Sequence, residues 1–164
     1  MLVDDGSGPE PGGGPAVLPP SPRPMGRYDA AVASSGWVVT AGMTPRRDGV
    51  LVAQGRVGEA VDLDAARESA AVAAGNALAA AAETAGGLAA VEHVVSLTVY
   101  VACGPEFSDL GVVADAASER LELLLGSDVP RGARVTVGVQ SLPGGAPVEV
   151  QLTVATSDRS ATPT

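Results

Sequence analysis

The stretch from Ala133 to Val154, ARVTVGVQSLPGGAPVEVQLTV, limits the possible folds more than any other part of the chain. Apolar and polar residues alternate on both sides of Leu142-Pro143, and a period of two marks strands with one buried face. If Val135, Val137 and Val139, with Val148, Val150, Leu152 and Val154, pack beneath helices, then Arg134, Thr136, Glu149, Gln151 and Thr153 share the opposite face. That second face is polar without being strongly charged, so it needs a cover of another kind.

The helices are legible upstream. Asp64 to Ala85, DAARESAAVAAGNALAAAAETA, is a strong helix former preceded by a cap at Asp62 or Asp64 and ended by Gly86-Gly87. Its buried stripe is Ala66, Ala70, Ala73, Ala77, Leu78 and Ala81, small enough to let the helix lie close to a sheet. A second helix runs from about Ser108 to Leu125 and stops at Gly126, with Val113, Ala116, Ala117 and Leu124 inward. Between them Val95, Leu97, Val99 and Val101 alternate with Ser96, Thr98 and Tyr100 as a half-buried strand. Near the start, Tyr28 to Ser34 and Trp37 to Thr40 are strand-forming runs split by Ser35-Gly36, a hairpin signal, and Pro45 to Gly49 reads as a polar loop. The order β-β-α-β-α-β-β with helices on one sheet face predicts an α+β sandwich whose other face meets further subunits.

Composition supports association. At 164 residues with 46% hydrophobic content the chain fits one domain, yet only 2% is aromatic, so the core is Val, Leu and Ala. Such side chains bury little area each, at roughly 25 cal/mol per Å², and burial between subunits would add to it. Residues 1–24 are half Gly and Pro and are expected to form a disordered tail, as are residues 157–164, leaving residues 25–156 as the domain.

Function classes narrow by exclusion. The net charge is −9 and there is no lysine, which leaves nucleic acid without a basic patch. One cysteine and one histidine, Cys103 and His93, cannot build a zinc site, and they flank a strand separately with no third group to orient them as catalysts. No apolar run approaches the roughly 20 residues of a membrane span, and no signal-like start is present, so a cytoplasmic protein is expected. Gly144-Gly145 is a turn and not a phosphate loop, since no helix N-terminus follows.

The closing segment, with Arg134 nine residues before Pro143 and Glu149 six after it, resembles the signature of the RidA/YjgF imine deaminase family. GRYDAAVASSGWVVTAGMTP is similar to that family's opening pattern, and EFSDLGVVADAASERL with the Asn76 helix looks like its branch with slightly longer loops. The likeness covers about residues 24–156. It implies a chorismate-mutase-like α+β fold, with two helices on one face of a mostly antiparallel sheet, assembled as a homotrimer with ligand clefts between subunits. The implied activity is hydrolysis of reactive 2-imino and enamine acids to 2-oxo acids and ammonia, with no cofactor.

On that resemblance Arg134 holds the substrate carboxylate with its planar fork, Glu149 orients or deprotonates the attacking water or passes a proton to nitrogen, and Tyr28 closes the cleft. Gly42 lets backbone approach the ligand, and Thr136 and Asp115 complete the binding set. Three positions depart from the commonest family pattern: Ala41 stands where serine is frequent, Thr136 where cysteine is frequent, and Asp115 near the usual asparagine. The alternatives are a non-catalytic trimer that binds metabolites or a partner enzyme, and a biosynthetic relative acting on a different imine. If the two closing strands paired as a simple hairpin, Glu149 would lie on the order of 13 Å along the strand from Arg134. Serving one small substrate therefore requires an intervening strand or a neighbouring subunit.

Overall fold

The computed structural model describes residues 17–129 and 131–157. Strands β1 (Ala31–Ser34) and β2 (Trp37–Thr40) form the expected hairpin, with Ser35 and Gly36 at positive φ in its turn. The loop expected at Pro45 to Gly49 instead carries a small two-stranded ribbon, β3 (Arg46–Arg47) and β4 (Val50–Leu51), turned through Asp48 and Gly49 at positive φ. Asn76, buried in the first helix, donates from Nδ2 to the carbonyls of Thr44 and Arg46 at 3.2 and 2.9 Å and fixes the ribbon's entry.

Helix α1 (Leu63–Ala85) is capped by Asp62, whose side chain accepts from the Ala65 amide at 2.8 Å, and ends in left-handed Gly86. All six residues of its predicted stripe are fully buried. Ala74 and Ala80 on further sides are buried as well, because α1 packs against both the sheet and helix α2 (Leu110–Leu125). Strands β5 (Val91–Ala102), β6 (Ala133–Val139) and β7 (Val148–Thr156) complete a five-stranded sheet of order β1-β2-β7-β5-β6, antiparallel except for the parallel pair β5–β6. This is two helices packed on one face of a mostly antiparallel sheet. Val148, Val150, Leu152 and Val154 all lie in the core beneath α1.

Two expected faces are corrected. In β5 a register shift between Val94 and Ser96 turns Val94 into the core in place of Val95, which is only half-buried. In edge strand β6 the alternation is inverted: Val135 and Val137 are 56% and 37% exposed, while Arg134 turns toward α2. Period two gives two sets of residues but does not say which set the helices cover. The face away from the helices is consequently more apolar than expected, with Val32, Trp37, Val39, Val135 and Val137 all exposed.

The expected tails fall outside the described residues at 1–16 and 158–164. Residues 17–24 have no helix or strand, yet Leu18 packs on the core and Arg120 donates to the Val17 carbonyl. Prolines in this run fix φ in advance, which lowers the entropy lost on docking.

Candidate functional site

Five of the six candidate residues fall into two groups on opposite faces of the sheet, and the sixth, Tyr28, lies ahead of β1. Arg134 stands opposite Leu97 of β5, whose side chain is in the core, and therefore leans to the helix side. Its Nη1 donates to Asp115 Oδ1 at 2.8 Å and to Ser118 Oγ at 3.0 Å; both acceptors project from one face of α2 at i and i+3. Thr136, opposite Val99, shares that strand face. Arg134, Thr136 and Asp115 are thus brought together, and among the described residues the guanidinium has no partner beyond Asp115 and Ser118.

Beside them lies a cavity of about 390 Å³ between α2 and the start of β6, with Arg134 in its wall and Leu97, Leu121, Leu125 and Val129 among its apolar lining. Arg131 and Glu122, also in its wall, pair with each other.

Glu149 occupies the other face, opposite Tyr100 of β5. Past β2 the chain continues along β7, with mutual backbone hydrogen bonds between Met43 and Val150 of 2.8 and 2.9 Å, and this sets Gly42 against the Glu149 side chain. A β-carbon at position 42 would stand 1.8 Å from Glu149 Oε1. The glycine is needed for that close approach and not for an unusual φ. Glu149 Oε2 is buried and without a hydrogen-bond partner among the described residues, and burial raises the carboxyl above its ordinary pKa. Tyr28 is 53% exposed just ahead of β1, two residues before Ala30, whose carbonyl accepts from the Ala41 amide.

Arg134 and Glu149 do not share a face, contrary to the sequence expectation. Their partners in β5, Leu97 and Tyr100, are three residues apart, and β5 separates β6 from β7. At about 3.3 Å per residue and about 4.8 Å per strand, the two backbones are about 14 Å apart, with side chains diverging. The intervening strand exists, but it does not bring the two groups together within one chain.

His93 and Cys103 lie apart, and the described residues contain no group of three potential metal ligands among His, Cys, Asp and Glu. Sequence reading missed Ser118, although its spacing from Asp115 puts both on one helix face, and it missed the cavity, which only the packing of α2 on β6 creates. No described helix is long and apolar enough to cross a membrane.

Residues 19–156 match the model of a protein family described as Endoribonuclease L-PSP. The chain is 31% identical over 137 residues to Protein TCP17 of Trypanosoma cruzi, covering 84% of this chain and 86% of that protein. A solved structure of a protein of unknown function from Agrobacterium tumefaciens is 32% identical, with a TM-score of 0.75 over 80% of this chain and 82% of that one. The YjgF gene product of Escherichia coli, 22% identical, shares the fold with a TM-score of 0.61 over 85% and 98% of the two chains.

Proposed function

Because the chain belongs to the Endoribonuclease L-PSP family, the family of YjgF and RidA, we propose that it hydrolyses reactive 2-imino and enamine acids. One imine and one water give one 2-oxo acid and one ammonia: water oxygen bonds to C2, the C2–N bond breaks, and nitrogen leaves with the added protons. Arg134 binds the carboxylate through the guanidinium edge that Asp115 and Ser118 leave uncommitted, a geometry suited to a two-toothed grip. Binding there fixes the C2 carbon for attack, which is the larger part of catalysis when a single small substrate must be oriented. The observation that carries this reading is an arginine so held in the wall of a cavity large enough for a small acid.

Glu149 serves as the proton carrier. Burial raises its pKa above that of an exposed carboxyl, which favours a group that can give as well as take a proton. Since about 14 Å and a sheet separate it from Arg134 in one chain, the reading requires Glu149 of a neighbouring copy to face Arg134. A homotrimer packed through the exposed apolar face of Val32, Trp37, Val39, Val135 and Val137, with a neighbour reaching round edge strand β6 to the partly exposed Arg134, would supply such neighbours. On this reading Tyr28, exposed ahead of β1, closes the cleft.

The family's description names an endoribonuclease, but a chain of net charge −9 without lysine offers little to attract RNA phosphates. A second reading has one observation in its favour: Asp115 already neutralises Arg134, as in a trimer that binds metabolites or a partner enzyme without turning them over. The deciding experiment generates 2-iminobutanoate or 2-iminopropionate in a coupled assay and follows its loss with wild type and Arg134→Ala. Acceleration by wild type alone supports the deaminase; none by wild type supports the binding module.

A further inference from the structure

Resting on the deaminase reading, we infer that this site takes 2-imino acids with a long apolar side chain in preference to the smallest ones and to dicarboxylates. The cavity beside Arg134 is the reason. Leu97 is the register partner of Arg134, and Leu121 lies three residues beyond Ser118 on α2, so apolar surface begins where the carboxylate anchor ends. Leu125, one turn farther along α2, and Val129 after the helix extend that wall.

Just before β6, a β-carbon on Gly132 would come 2.5 Å from the Val94 carbonyl, so the chain there lies against β5, and both residues line the cavity. About 390 Å³ is far more than a methyl or ethyl group fills. An acid anchored at Arg134 with only a methyl on C2 would leave the apolar walls in contact with water, whereas a branched or thioether chain would cover them.

A second cation, Arg131, also lines the cavity, but it does not call for a second carboxylate. Arg131 is 81% exposed against 30% for Arg134, so water screens its charge and a second carboxylate would gain little there.

Binding of the product 2-oxo acids to the full-length chain, measured by calorimetry, tests the assignment independently of turnover. 4-Methyl-2-oxopentanoate is expected to bind at least about tenfold tighter than pyruvate, with 2-oxoglutarate no better than pyruvate. Val129→Trp, which fills the cavity from a half-buried loop position, is expected to bring 4-methyl-2-oxopentanoate down to the level of pyruvate. Equal binding of the three acids, a preference for 2-oxoglutarate, or a preference that survives Val129→Trp overturns the inference. Should the binding preference hold while no imine is turned over, the pocket assignment stands and the deaminase reading falls. Turnover that is equal for imines derived from alanine and leucine, with equal binding, has the opposite meaning.

Discussion

Gly42 lies directly against the carboxylate of Glu149, with room for a hydrogen and not for a methyl: a β-carbon there would be 1.8 Å from Oε1 and 2.6 Å from Cδ. The atoms in the way belong to the end of a flexible side chain, so Gly42→Ala should move Glu149 and leave the fold intact. Turnover is expected to fall by on the order of 10²-fold, as for a lost general acid or base, with the melting temperature nearly unchanged. Loss of folded protein instead would show the contact to be structural.

Arg134→Ala should abolish imine turnover, and Arg134→Lys should be severely impaired, because a point charge cannot reproduce the fork. The coupled assay reads both. Lysine activity close to wild type would remove the two-toothed grip from the mechanism.

Asp115→Asn keeps the shape at Arg134 and removes the competing charge. The pair is partly exposed and worth about 0.5 kcal/mol at most to stability, so the melting temperature should hardly move. KM for the imino acid should fall several-fold. A KM that rises would mean Asp115 orients Arg134 more than it competes for it.

Glu149→Gln gives a pH signature. The folded carboxyl has a raised pKa, so ionised Glu149 costs stability; the cost is fully present above the folded pKa and disappears as pH falls to the ordinary carboxylate range. The variant should therefore melt higher than wild type at pH 8, and the gap should close toward pH 4. Product binding persists while turnover drops by on the order of 10²-fold. A gap that widens in acid would contradict the burial argument.

Light scattering should give three times the chain mass, and Trp37→Glu should yield monomers. Trp37 is 49% exposed on the open face, so its loss should leave each chain folded by circular dichroism. A monomeric wild type at micromolar concentration would remove the shared cleft.

Local chemistry was readable in the sequence by itself. Asp62 and Gly86 mark the ends of α1 because capping and positive φ are properties of a few neighbouring residues, and the inward set of β7 follows from period two in a strand that has a helix above it. The family resemblance named Tyr28, Gly42, Asp115, Arg134, Thr136 and Glu149 as candidates, but the shared face expected for Arg134 and Glu149 did not hold. Only the tertiary structure decided which way β6 faces. An edge strand flanked on one side alone takes its orientation from what lies above it, here Asp115 and Ser118 on α2, and those contacts join residues that no local pattern connects. The same holds for the bulge that exchanges Val94 for Val95, for the cavity between α2 and β6, and for the separation of Arg134 from Glu149. Each depends on strand order and on the packing of distant segments, which a repeating pattern along the chain does not encode.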